Sequence, residues 1–247
     1  MRSPRDPNRR RRNFLKAAAA AAVLGTIEWP SRVAAAESMP MKIGMIGSGN
    51  VGSALGRVWA HAGHQVMFSS RHLEDDKRLA ADIGANARAG TPREAAAFGD
   101  VLVFAVPYGA LPELGQALRD SIKGKVVIDA CNPFPRRDGE IAERAREKGA
   151  GLMSAELLPG ARIVRAFNAV GADRMSQAHE DPGRVGMPIA GDDEKALDIA
   201  STLIREIGYE PVRIGGLEMG KYLMPGTPLA GERTPEEIRK ITTTLQP

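Results

Sequence analysis

Met41-Lys42-Ile43-Gly44-Met45-Ile46-Gly47-Ser48-Gly49-Asn50-Val51-Gly52 is the stretch whose reading decides the fold. A short apolar run leads into Gly47, Gly49 and Gly52 at the spacing G-x-G-x-x-G, and a helical pattern follows, with Val51, Leu55, Val58, Trp59 and Ala62 on one face. Strand, glycine turn and helix in that order make the phosphate-binding start of a dinucleotide fold. Gly47 permits the tight turn, Gly49 lets the backbone approach a pyrophosphate, and Gly52 lets helix and strand pack closely. Unused N–H groups and the helix dipole then hold the anion.

The second strand, His64-Gln65-Val66-Met67-Phe68, ends in Ser69-Ser70-Arg71. An NAD site carries Asp or Glu about 20 residues beyond the glycines, where it binds the ribose 2′-hydroxyl. This chain offers hydroxyls and a guanidinium there, all donors toward a 2′-phosphate. The pattern predicts NADP rather than NAD, with Ser70 and Arg71 on that phosphate. Glu74, Asp75 and Asp76 come next; they suit the first turn of a helix and oppose the phosphate if they face it.

The charge of the chain, +4 overall, is concentrated at its start: residues 1–36 hold eight basic residues against Asp6 and Glu28. Arg11 and Arg12, with Asn13-Phe14-Leu15-Lys16, read as a twin-arginine export signal, followed by the apolar segment Ala17 to Leu24 and a small-residue cleavage site at Ala34-Ala35-Ala36. That apolar run is short of the ~20 residues that span a bilayer, so no stable membrane anchor is expected. The expected location is the periplasm or beyond, after passage through the twin-arginine translocase. The remainder is weakly acidic and the chain is 4% aromatic, a composition that excludes nucleic-acid binding. Cys131 is the only cysteine, which rules out an internal disulfide, and the four histidines have no ligand spacing, so no metal site is expected.

Strand and helix patterns alternate from residue 41 onward. Leu73–Ile83 reads as a helix, Asn86-Ala87-Arg88 as a short strand, and Thr91-Pro92-Arg93-Glu94 as a helix start with a capping box. Val101-Leu102-Val103-Phe104-Ala105-Val106 is a continuous apolar run, the mark of a parallel strand covered on both faces. Lys125 to Ala130, Ile163 to Phe167, Met187 to Ala190 and Pro211 to Ile214 supply further strands, the last two separated by the helix Asp193–Ile207. The expectation is an α/β fold, a doubly wound parallel sheet of the Rossmann type, over residues 41–215 after a linker at 37–40. Residues 216–247 form a carboxy-terminal extension. Its tail helix begins with the capping box Thr234-Pro235-Glu236-Glu237 and turns Ile238, Ile241 and Leu245 either onto this domain or onto a second subunit, as in a homodimer.

Ligands of open parallel sheets lie outside the carboxyl ends of the strands. The loops to examine are Val106-Pro107-Tyr108, Ala130-Cys131-Asn132-Pro133, Asn168-Ala169-Val170-Gly171 and Gly191-Asp192-Asp193. Val106 and Pro107 flank the cofactor. Tyr108 lies near the nicotinamide or caps the core edge, and Asn132 bonds a carboxamide or a substrate carbonyl or is a plain turn residue before Pro133. Asn168 is the polar residue that follows a strand at the same edge. Cys131 reads as a buried thiol and Asp193 as a helix N-cap.

With these segments in place, the chain resembles the NADP oxidoreductase family that includes NADPH:coenzyme F420 oxidoreductase, and the related amino-terminal domains of pyrroline-5-carboxylate reductases and membrane metalloreductases. The resemblance rests on Lys42–Gly52, Ser69-Ser70-Arg71, Val106-Pro107, Asn132-Pro133, Leu158-Pro159-Gly160-Ala161-Arg162, Arg165-Ala166-Phe167-Asn168 and Ala190-Gly191-Asp192-Asp193. It implies direct hydride exchange between NADP(H) and a small ring acceptor, coenzyme F420 or a flavin, with no protein acid or base and hence no catalytic side chain. On that resemblance Gly47, Ser48, Asn50, Val51, Ser70, Arg71, Val106 and Pro107 hold NADP, and Asn132 and Asn168 border the acceptor. The short tail leaves no room for the helical dimerisation domain of pyrroline-5-carboxylate reductases. Two other readings keep the nucleotide: an imine or carbonyl reductase, with Tyr108 or a water supplying the proton, and a non-catalytic NADP-binding module.

Overall fold

Chain order explains the sheet. In the computed structural model, which describes residues 39–247, the expected leader lies outside the described residues. The chain runs β1 (Lys42–Ile46), α1 (Asn50–His61), β2 (Gln65–Ser69), α2 (Leu73–Ile83), β3 (Ala87–Ala89), α3 (Pro92–Phe98) and β4 (Val101–Phe104). It continues through α4 (Leu111–Ala117), α5 (Arg119–Ile122), β5 (Val126–Asp129), α6 (Pro135–Asp138), α7 (Glu140–Lys148), α8 (Ala150–Leu157) and β6 (Arg162–Arg165). The last elements are α9 (Ala172–Met175), β7 (Gly186–Gly191), α10 (Glu194–Ile207), β8 (Glu210–Gly215), a 3-10 helix (Leu217–Leu223) and α11 (Pro235–Thr242).

The eight strands lie in the order β3-β2-β1-β4-β5-β6-β7-β8. After β3 the chain returns to the far side of β1, so the winding reverses between β1 and β4, the place where such sheets bind ligands. Every residue of β4 is buried, as its continuous apolar run required, and every residue of β5 is buried too, Asp129 included. One detail departs from expectation. β7 pairs antiparallel to β6, and β8 runs with β7, so the last two strands oppose the first six. The connection from β6 to β7 holds one four-residue α-helix, α9, in place of the long crossover helix usual between parallel strands.

Side chains fill both faces. Met45, Leu55, Trp59, Phe68, Val103, Ile128 and Ile204 form one layer, and Ile46, Leu102, Phe104, Tyr108, Val127 and Met153 the other. Capping boxes at Thr91/Glu94 and Thr234/Glu237 start α3 and α11, and the Asp193 side chain accepts from Ala196 N to start α10. The apolar face of α11 lies on its own sheet: Ile238 is buried with Val212, Ile214 and Leu229, and Ile241 and Leu245 pack against them. Gly186 makes this approach possible, because a Cβ there would fall 2.5 Å from Ile238. Residues Met39–Pro247 form one compact unit, extension included.

Candidate functional site

The turn after β1 is built as a cradle. Gly47 has φ +103°, and a Cβ on it would lie 2.4 Å from the Ala105 carbonyl oxygen. A Cβ on Gly52 would lie 1.9 Å from Gly47 O, so helix and turn touch backbone to backbone. Gly49 faces open space. Helix α1 starts at Asn50 with no side-chain cap and no acidic residue in its first turn, unlike α3, α10 and α11. Its first N–H groups and dipole are therefore left for an anion beside Ser48, Asn50 and Val51.

The end of β2 stands next to this turn, joined by Gly47 N donating to Ser69 O at 2.9 Å. Arg71 is exposed and holds no ion pair among the described residues. The acidic run behind it divides. Glu74 pairs with Lys77 and Asp75 with Arg78, both in solvent. Asp76 is instead fully buried and accepts hydrogen bonds from the hydroxyls of Ser48 and Ser70, the latter at 2.8 Å. Reading Asp76 as an ordinary first-turn acid missed this.

Beyond β4, Val106 is half-buried and Pro107 exposed, on the lip over Gly47. Of the two expectations for Tyr108, the side chain beside the nicotinamide is corrected and the cap on the core edge holds. Tyr108 is fully buried, and its hydroxyl meets Ala150 O and Ser154 Oγ at 3.0 Å each. Burial, reinforced by the Asp129 charge, pushes its pKa well above the ordinary tyrosine range, so the phenol stays protonated. The side chain supports the core and cannot deliver a proton to the cleft.

The ends of β5 and β6 bring Asn132 and Asn168 together. Asn132 Nδ2 donates to Asn168 O at 2.8 Å, and Asn168 Nδ2 donates to Cys131 O at 3.3 Å. Both amides are thereby oriented, with Asn132 Oδ1 and Asn168 Oδ1 as acceptors that have no partner among the described residues. Beneath them lies an ion pair that sequence reading passed over: Arg165 Nη1 donates to Asp129 Oδ2 at 2.6 Å, with both side chains fully buried. Arg165 Nη2 also donates to Cys131 O, and Asp129 accepts from Cys131 N at 2.9 Å. The arginine stem passes between two glycines: a Cβ would meet its Cδ at 2.7 Å from Gly220 and 3.2 Å from Gly151. The signal was available, because Asp129 and Arg165 are charges that directly follow the apolar runs Val126-Val127-Ile128 and Ile163-Val164.

Two further contacts fix this edge. Phe167 has φ +65°, a conformation that L side chains rarely adopt, and its ring meets Trp59 edge-on at 6.0 Å. Asp138 accepts from Phe134 N at 3.0 Å and Gly109 N at 3.3 Å and pairs with Arg137, tying the loop after β5 to the loop after β4. Cys131 is buried beneath, its thiol pushed well up by burial and by Asp129. The loop Gly191-Asp192-Asp193 does not belong to this edge. Since β7 runs antiparallel to β6, that loop lies at the other end of the sheet, where Asp193 pairs with Arg162 at the start of β6. Of the expected site residues, Gly47 to Gly52, Ser70, Arg71, Val106, Pro107, Asn132 and Asn168 lie along the carboxyl-end edge of the parallel strands.

Known proteins are similar to this chain in sequence and fold. Residues 42–133 match the family model described as NADP oxidoreductase coenzyme F420-dependent. The F420-dependent NADP reductase of Methanothermobacter thermautotrophicus is 31% identical over 208 residues, 77% of this chain and 88% of the relative. Among solved structures, a hypothetical protein from Sinorhizobium meliloti is 27% identical with a TM-score of 0.65, covering 80% of this chain and 97% of the other. A structure described as a putative F420-dependent NADP reductase from an Arthrobacter species shares the fold at TM-score 0.64 and 21% identity, over 73% and 87% of the two chains.

Proposed function

This chain belongs to the coenzyme F420-dependent NADP oxidoreductase family, and from that premise we propose that it transfers hydride between NADP(H) and a small ring acceptor, a deazaflavin of the F420 type or a flavin-like ring. The chain is an NADP-dependent oxidoreductase. The carrying observation is the placement, on one edge of one sheet, of an uncapped glycine cradle after β1 and an amide-lined floor at the ends of β5 and β6.

The residues fit the nucleotide. Gly47 and Gly52 leave space that any Cβ would fill, the first turn of α1 has unused donors, and Arg71, without an ion pair among the described residues, follows the end of β2 that adjoins the turn. These groups would hold the phosphates, with Val106 and Pro107 on the lip and Asn132 and Asn168 bordering the ring acceptor. Bound NADPH supplies the hydride. The protein's own contribution is alignment and exclusion of water, because hydride exchange between two stacked rings depends on orientation. The cleft supports that economy: Tyr108 and Cys131 are buried and Asp129 is neutralised by Arg165, so none of the three is placed as a general acid. The imine or carbonyl reading loses Tyr108 as its proton source and keeps only a water.

The leader motif around Arg11 and Arg12 supports export in the folded state, with cofactor loaded beforehand. The deciding assay follows NADPH oxidation by the purified protein with a deazaflavin, riboflavin-type flavins and cyclic imines. Turnover with ring acceptors alone is the expected outcome. Turnover with imines alone, or nucleotide binding without turnover, would overturn it in favour of an imine reductase or a binding module.

A further inference from the structure

Asp76 has no part in the reading above, yet it is the buried charge nearest in structure to the segments proposed to hold phosphate. It lies in the first turns of α2, fully buried, and one carboxylate bridges two elements: Ser48 in the glycine turn and Ser70 after β2. Its neighbours Glu74 and Asp75 have cations, whereas none of the ion pairs among the described residues includes Asp76. Ser70 is further committed, since its oxygen accepts from His72 N at 3.0 Å.

A hydroxyl has one proton to donate. With that proton on Asp76, Ser48 and Ser70 present only lone pairs to an approaching ligand. An ionised phosphate oxygen can only accept, so neither serine serves it until the proton swings away and leaves a buried carboxylate short of partners. The carboxylate also sets a negative charge behind the two hydroxyls. We propose that Asp76 is a specificity-determining, positioning residue that opposes the 2′-phosphate through Ser48 and Ser70, holding NADP-over-NAD discrimination below what Ser70 and Arg71 alone would give. This rests on the NADP reading of the site and names the group that tempers it.

The test titrates the full-length protein by calorimetry with 2′,5′-ADP, which carries the 2′-phosphate, and with 5′-AMP, which lacks it. In Asp76→Asn the side-chain amide donates to a serine oxygen and frees its proton outward. The expected result is binding of 2′,5′-ADP about tenfold tighter, the size of one hydrogen bond to a charged group, with 5′-AMP unchanged. Unchanged or weaker 2′,5′-ADP binding overturns the proposal, as does a parallel change for both nucleotides, which would mark Asp76 as a structural prop. Ser70→Ala is the second variant should Asp76→Asn not fold. A loss of 2′,5′-ADP affinity under about threefold is expected if the Ser70 proton already serves Asp76, and any larger loss with 5′-AMP unchanged overturns it. If the wild-type protein binds neither NADP⁺ nor 2′,5′-ADP, the NADP reading itself falls.

Discussion

Replacing Arg165 by methionine tests the framework under the acceptor side of the cleft. The stem keeps its path between Gly151 and Gly220 while the guanidinium disappears. Asp129, fully buried and 2.6 Å from Arg165 in the native protein, is then left without its cation. Removing one partner of a buried pair destabilises by about 3–5 kcal/mol, a large part of the roughly 5–15 kcal/mol that holds a domain together. At about 2–4 °C per kcal/mol for a domain of this size, the melting midpoint of Arg165→Met should fall by roughly 6–20 °C. Asp129→Leu should lose a similar amount, by burying an unpaired guanidinium. The double variant removes both charges and orphans chiefly the Cys131 N–H, since Cys131 O still accepts from Asn168 Nδ2. It should therefore lose only about 1–3 kcal/mol, far less than the sum of the single losses. Urea titrations followed by circular dichroism measure all three. Additive losses, or a loss under about 1 kcal/mol for Arg165→Met, would refute the buried pair. Where Arg165→Met remains folded, KM for the ring acceptor should rise more than Kd for NADPH, because the pair braces the β5 and β6 ends rather than the glycine turn.

Four other outcomes follow. Arg71→Ala should weaken NADPH by about 1–3 kcal/mol and leave NADH nearly unchanged; equal losses, measured by fluorescence titration, would remove the 2′-phosphate assignment. Tyr108→Phe deletes the bonds to Ala150 O and Ser154 Oγ, so it should cost about 1 kcal/mol of stability and leave the pH profile of turnover unaltered; a shifted profile would return the tyrosine to the chemistry. Burial alone would raise the Asp138 carboxyl, but Arg137 and the N–H groups of Phe134 and Gly109 hold it below the usual carboxylate range. Its stabilising contribution is therefore complete above about pH 5 and is lost as acidification passes the depressed value, so Asp138→Asn should flatten the acid limb of the unfolding midpoint; parallel acid limbs would refute that tie. Arg11→Lys/Arg12→Lys should leave the protein in the cytoplasm on fractionation, and unaltered export would remove the twin-arginine reading.

Local pattern carried most of the fold. An unbroken apolar run identified β4, and Thr91/Glu94 and Thr234/Glu237 marked helix starts that the structure contains. Strand direction was different. Periodicity distinguishes a strand from a helix but says nothing of which way it runs, and the reversal at β7 comes after a connection with no long crossover helix to mark it. Tyr108 was undecided between cleft and core edge for a related reason: its partners, Ala150 and Ser154, lie 42 and 46 residues away, beyond the reach of any spacing rule.

Asp76 was within reach of such a rule. Leu73, Asp76, Ala80 and Ile83 stand at i, i+3, i+7 and i+10, one stripe of α2, and Ala80 is buried beside Asp76 while Leu73 and Ile83 are half-buried. Glu74 and Asp75 fall off that stripe and meet Lys77 and Arg78 three residues on, in solvent. A first-turn acid on the outward face complements the helix dipole; the same residue on the inward face must find donors among whatever the sheet presents. Here the sheet presents the glycine turn and the end of β2, so the donors are Ser48 and Ser70. A carboxylate at an apolar position of the helix after β2 is thus a statement about the phosphate site, because that helix packs against the two loops from which the site is made.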